Sequence, residues 1–245
     1  MTKKVDLVGR NVYKYNDLIT VKIPTLGQIR GEGNDDIENR FWKEVNLFIK
    51  TPSDMISELD SMGIDFEQLS EYMLFVMLLT GYLEDKNNGF QLFEGLDFRK
   101  LQLSTDGTGQ LVFIDENGAE VFNEIIYIDI SNIIATMIGT EKTPKKKFGN
   151  DFAKKMRIKQ DYKKKAKARK EQDENDGVLG SIILRLCCNA NFPYNFETIK
   201  NVTIYDVFQS VKQIDKDLSV TDIMQSRLVG ADLNKLPRES LSRYV

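Results

Sequence analysis

The side chains most able to act on another molecule are crowded between Lys142 and Lys170, where fourteen Lys or Arg stand against only Asp151 and Asp161. Their chemistry is electrostatic: ammonium and guanidinium groups hold carboxylates or phosphates. The stretch carries a formal plus twelve, and the remaining residues, with twenty basic and thirty-five acidic side chains, carry minus fifteen. The chain therefore reads as a basic connector between acidic parts. One reading of the connector is a solvated surface helix or a partly disordered linker, because like charges repel and leave little apolar area to bury. The other is a docking surface for something acidic: nucleic acid, an anionic partner, or the chain's own acidic lobes. Phe148, Phe152 and Met156, then Ile158, Tyr162 and Ala166, recur at spacings of four, which predicts a helix with one narrow apolar seam. The residues expected to meet a partner are Lys145, Lys146, Lys147, Phe148, Phe152, Lys155, Lys163 and Lys164, with Tyr205 and Phe208 further along.

Bond-making chemistry has far weaker candidates. The sequence holds no histidine, which removes the commonest general base, the commonest metal ligand and the usual partner of a nucleophilic serine or cysteine. Cys187 and Cys188 adjoin on an apolar segment without a basic setting, so they read as reduced thiols that pack and do not react. Glu84-Asp85-Lys86 has the outline of the Glu-x-Lys element of metal-dependent nucleases but sits at a helix end, where mixed charge is routine. A calcium loop centred on Gly177 or Gly118 would place Gln172 or Phe113 where the first acidic ligand belongs. Phosphate-binding glycine patterns do not occur, and Gly107 and Gly109 read as a loop between strands. No enzyme activity, cofactor or metal is expected; binding or assembly is.

The elements around these residues follow from periodicity. Residues 11–23 read as extended, with Ile19, Val21 and Ile23 alternating until Pro24, followed by a turn through Gly27, Gly31 and Gly33. A helix from Asp35 places Ile37, Phe41, Val45 and Phe48 on one face. Thr51-Pro52-Ser53-Asp54 predicts a helix start ahead of a stripe of Met55, Ile56, Leu59 and Met62 closed by Gly63, and Asp65 opens a further helix to about Tyr82 at the centre of the core. Phe90 to Phe122 reads as strands, with Asn117-Gly118 predicting a type I′ hairpin. Ile125 to Ile138 returns to helix. After the basic stretch, Glu171 to Gly177 reads as an acidic loop. Helices follow over Val178 to Cys188, over Thr203 to Ile214 capped by Thr203 and Asp206, and over Val220 to Val229 capped by Ser219 and Asp222 and ended by Gly230. The fold class is α+β, rich in helix, with a small antiparallel sheet. The divisions are an α+β N-terminal domain over 1–140, a basic helical connector over 141–177 and a helical C-terminal module over 178–245.

Hydrophobic residues make up 41% and charged residues 29%, ordinary for a globular chain. The opening MTKK leads into no long apolar run and the longest uncharged apolar run, Met73 to Leu79, is too short to span a bilayer, so neither a signal peptide nor a membrane anchor is expected and the expected compartment is the cytoplasm.

The order of segments carries a resemblance. Leu18 to Ile29, reading strand, Pro-Thr and glycine turn, is similar to the opening of tail-module proteins of phages that infect Gram-positive bacteria. So are Met62-Gly63-Ile64-Asp65, the apolar helix of Tyr72 to Leu79, Phe93 to Phe98, the Lys-rich segment, Asn201 to Val211, and the ending with Gly230, Asp232 and Leu236. Those relatives carry a second glycine near the end, where this chain reads Val229-Gly230-Ala231-Asp232. The chain thus resembles the phage tail assembly chaperones. The resemblance implies a non-catalytic protein of the host cytoplasm that binds the helical tape-measure protein, the tail-tube protein, or both, during tail morphogenesis. The alternatives are a nucleic-acid-binding adaptor working through 142–170 and a structural subunit of the virion.

Overall fold

The computed structural model describes residues 6–31, 35–86, 88–172, 178–189 and 192–228. It is an α+β fold with eight α-helices and two small antiparallel sheets of three strands among those residues. The sequence predicted one sheet; there are two because the hairpin within 11–23 takes Phe93–Glu94 as its third strand while the strands from Gln102 to Phe122 pair among themselves.

The first sheet joins β1 (Val12–Lys14), β2 (Thr20–Lys22) and β3 (Phe93–Glu94) in that order, with Tyr13 opposite Val21 and Val21 opposite Phe93. The stretch read as one extended segment is a hairpin, turned where the Asn16 side chain accepts the N–H groups of Leu18 and Ile19. Ile19, Val21 and Ile23 point into the core as their alternation requires. Gly95 follows β3 at φ +88°, and a Cβ there would lie 2.7 Å from the Leu18 carbonyl oxygen, so both the backbone and the neighbour demand glycine.

The expected glycine turn is in fact a short helix, α1 (Leu26–Arg30), held by a reciprocal cap between Thr25 and Gln28 and ended by Gly31 in the left-handed conformation. Helix α2 (Asp35–Ile49) buries Phe41, Val45 and Phe48 completely, with Ile37 half-buried. Thr51 and Asp54 cap a single 3-10 turn over Pro52–Asp54, after which α3 (Ile56–Ser61) makes under two turns; Met62, assigned to its buried stripe, is exposed. Helix α4 (Glu71–Glu84) begins six residues later than predicted. Asp65 spends its carboxylate on the Glu67 N–H inside a tight turn, and Ser70 caps the helix instead.

β4 (Gln102–Thr105), β5 (Leu111–Ile114) and β6 (Glu120–Phe122) form the second sheet. Its two turns share one construction. Asp106 and Asp115 each accept two backbone N–H groups from the loop they open, those of Thr108 and Gln110 and those of Asn117 and Ala119, and Gly109 and Gly118 each take positive φ before the chain returns. The hairpin predicted at Asn117-Gly118 exists, but its loop runs from Asp115 to Ala119 with Gly118 as the one positive-φ glycine. That is the longer bulged connection and not the two-residue type I′ turn. Helix α5 (Glu124–Met137) follows, capped by Asn123.

Helix α6 (Asp151–Gln172) takes most of the basic stretch, α7 (Val178–Cys187) comes next, and a 3-10 turn over Ile199–Asn201 leads to α8 (Ile204–Leu228). Two helices were predicted where α8 runs on; the chain passes through Ser219 without a break because no glycine or proline interrupts it. Most of the acidic loop, residues 173–177, and the ending from Val229 onward, including Gly230, Asp232 and Leu236, lie outside the described residues.

Phe75 of α4 is the centre of packing. The rings of Phe48, Tyr72, Phe98, Phe113, Phe122 and Tyr127 surround it with centroids 4.9 to 6.4 Å away. The same core continues through Leu179, Ile183 and Leu186 of α7 and Ile204 and Val207 of α8, so apolar packing runs across the boundary drawn at residue 178. Thr25 and Thr203 form an antiparallel bridge in which the Leu26 N–H donates to the Val202 carbonyl at 3.0 Å and the Ile204 N–H to that of Pro24 at 2.9 Å. Two segments that carry the family resemblance, Leu18 to Ile29 and Asn201 to Val211, are thereby sewn together. A third, Phe93 to Phe98, pairs with the first through β2 and β3.

Candidate partner-binding face

One side of the basic segment is fastened to the body of the protein. Ahead of α6, Lys142 pairs with Glu71 and lies 5.1 Å from the centroid of the Tyr127 ring, and the Lys145 ammonium donates to the Leu69 carbonyl at 3.3 Å. The Phe148 N–H donates to Glu67 at 2.8 Å, and its ring meets that of Phe66 edge-on. Along α6, Lys154 reaches Asp65 at 2.6 Å and Glu67 at 3.3 Å, Ile158 packs on the small cluster of Ile56, Leu59, Phe66 and Leu74, and Lys165 pairs with Glu58 and, at 2.9 Å, with Asp161. Asp161 is buried and accepts both the N–H and the hydroxyl of Ser57, at 3.1 and 2.8 Å, while the Tyr162 hydroxyl donates to the Ser57 carbonyl at 2.9 Å.

The electrostatics of this clasp are consistent with ionised partners. Burial raises the Asp161 carboxyl, but hydrogen bonds from Lys165 and Ser57 outweigh it and hold the group below its usual range. Glu58 is held down in the same way against its own burial, chiefly by Lys165, and Asp65 is lowered by the hydrogen bond from Lys154. The basic segment thus has acidic partners on the chain's own lobe, one of the docking alternatives open from the sequence.

The opposite side of α6 faces solvent. Lys155, Lys159 and Lys163 stand one above another at spacings of four, and Lys164 is exposed beside them. Phe152, 74% exposed, and Met156, 43% exposed, share the N-terminal half of this face. Lys145, Lys146 and Lys147 are exposed on the segment before it.

The structure therefore separates the expected contact residues. Lys145, Lys146, Lys147, Phe152, Lys155, Lys163 and Lys164 are at the surface; Phe148 is half-buried on Phe66. Tyr205 is only 8% exposed and Phe208, half-buried, packs against the core beside Gly139, so both rings give most of their surface to the interior. The predicted apolar seam also divides. Phe148 precedes α6 and its spacing does not continue into the helix; the buried line is Lys154, Ile158, Asp161 and Lys165. The clasp of Ser57, Asp161 and Lys165 was not anticipated. Its signal was Asp161, an acid in the middle of the lysines and four residues ahead of Lys165.

The weaker candidates hold less. Glu84 ends α4, and Asp85, its C-terminal cap, lines a cleft of about 610 Å³ together with Asp36, Asn39, Arg40, Lys43 and Asn88, where two cations stand among the two carboxylates. Among the described residues no three His, Cys, Asp or Glu side chains gather as metal ligands would. Burial raises the Cys187 thiol, the reverse of what a nucleophile requires. No described helix is long and apolar enough to cross a membrane. No family model, curated protein or solved structure matches this chain.

Proposed function

We propose that this protein is a non-catalytic assembly factor of the phage tail assembly chaperone kind, which holds the tape-measure protein, the tail-tube protein, or both, before they enter the growing tail. The observation that carries the reading is the two-sidedness of α6: ion pairs fix its inner face, and its outer face offers lysines, a phenylalanine and a methionine to a second macromolecule. A basic face with apolar side chains captures a chain by charge and retains it by contact area. The segment order described from the sequence supports the choice of partner, and three of the resembling segments meet in β2, β3 and the Thr25–Thr203 bridge. Co-expression with candidate tape-measure and tail-tube proteins tests the proposal: a soluble complex with either is expected, and clean failure to co-purify with both overturns it.

A second reading, a nucleic-acid adaptor, is favoured by the exposed run of Lys145, Lys146 and Lys147 next to the lysines of α6. It requires affinity for oligonucleotides to fall by about three decades or more between low and physiological salt if six or more phosphates are held. A flat salt response removes it.

A further inference from the structure

We infer that the outer face of α6 is the seat of an acidic amphipathic α-helix of the partner, laid along Lys155, Lys159 and Lys163 with an apolar side chain against Phe152 and Met156. The inference rests on the holding role proposed above and adds the chemistry of the segment held.

Three observations lead to it. First, lysines four apart on a helix repeat every 6 Å or so along the axis, and carboxylates four apart on a second helix repeat at the same interval, so a single register satisfies all three. Second, Lys155 has Asp151 four positions before it, but neither Lys159 nor Lys163 has an acid three or four positions away on its own helix, so that part of the column is self-repelling until an outside anion joins it. Third, Phe152 and Met156 lie four apart at one end of the same face, and both are more exposed than side chains of their type ordinarily are.

The third observation separates a peptide from a nucleic acid. A duplex turns its phosphate backbone to such a face and has nothing apolar to place on Phe152 or Met156. A single strand can stack a base on the lone Phe152 ring but finds no second ring at Met156, whereas one Leu or Phe of an amphipathic helix fits both side chains. The setting points the same way: Glu58, Asp60, Asp65 and Glu67 outnumber Lys154 and Lys165, which pair with three of them, so the inner flank of α6 stays net acidic and disfavours a polyphosphate broad enough to reach past the helix. A partner helix, about 10 Å across, rests on α6 alone.

Fluorescence anisotropy on the full chain tests the seat with three labelled probes: a helical peptide with Glu at every fourth position and Leu on the same face, a peptide of the same composition in scrambled order, and a single-stranded oligonucleotide. The patterned peptide is expected to bind at least about tenfold more tightly than either of the others. The triple substitution Lys155→Glu, Lys159→Glu, Lys163→Glu should weaken it by about tenfold or more, and Phe152→Ser by a smaller factor at unchanged salt dependence. All four side chains are exposed, so circular dichroism should find each variant folded. No binding of the patterned peptide, equal binding to the charge-reversed chain, or a preference for the oligonucleotide overturns the seat. Co-purification with tail proteins, run in parallel, separates the two claims. Retention of tail proteins by the triple variant at full strength discards the seat and leaves the chaperone reading standing; peptide binding without tail-protein retention does the opposite.

Discussion

Asp161 of α6 accepts two hydrogen bonds from Ser57 of α3, one from its N–H and one from its hydroxyl, across 104 residues of sequence. A buried carboxylate holding another helix's first turn, with Lys165 beside it, fixes where α6 lies and therefore which of its faces is free. Removing Asp161 leaves the Ser57 N–H without its acceptor, the Ser57 hydroxyl with only Glu58, and Lys165 with Glu58 and the Asp54 carbonyl. Asp161→Ala is therefore expected to destabilise the protein by about 3 kcal/mol, with amide exchange accelerating first along α6. Exchange that stays unchanged in α6 would show that the clasp does not set its position.

The same clasp predicts an acid response. Asp161, Glu58 and Asp65 all have folded pKa values below their unfolded ones, so the unfolded chain binds more protons and this contribution is present above the unfolded values. It is lost as pH falls below about 4 and through the lowered values. Hydrogen exchange of α6 amides, followed on acidification, should show α6 loosening before the aromatic core around Phe75. Core and α6 giving way together would oppose this.

Phe75 supplies the core prediction. Six rings touch it and it is fully buried, so Phe75→Ala is expected to cost about 3–5 kcal/mol by urea unfolding, among the largest effects of any single truncation in the chain. A change under about 1 kcal/mol would mean that the neighbouring rings collapse into the space.

How much of this could be read from the sequence depends on which interaction decides each position. Apolar periodicity placed Phe41, Val45 and Phe48 on the buried face of α2 and put α4 at the centre, because burial dominates there. It read α6 only in part: Ile158 of the expected seam packs inward, but the rest of the inner face is made of ion pairs, and Phe152 and Met156 lie outside it. The acids that turn the lysine side of α6 inward are on α3 and the turn before α4, far away in sequence. Tyr205 and Phe208, named from the sequence as contact residues, are mostly turned inward, and nothing local says that Gly139, nearly seventy residues earlier, lies against Phe208. Local capping also led in two directions, correct at Thr203 and Asp206, where the hydroxyl and carboxylate bond to each other, and superseded at Ser219, where the helix runs through.

Glu44 carries a pH slope of opposite sign to that of the α6 clasp, and the two can be told apart. Its carboxylate is wholly buried on α2 and accepts the N–H groups of Gln91 at 2.7 Å and Leu92 at 3.0 Å, fixing the approach to β3. Burial pushes its pKa from 4.5 up to about 8, with the two amides pulling it partly back. Between those two values the unfolded chain has released a proton that the folded chain retains, so this group's contribution to stability falls as pH rises through the window and levels off above it. Glu44→Gln keeps one acceptor but turns an NH2 group towards one of the two amides, so it should cost about 1–3 kcal/mol while abolishing the slope. Urea midpoints measured across that window should decline with rising pH in the native chain and stay level in the variant. Parallel curves would place the titration elsewhere.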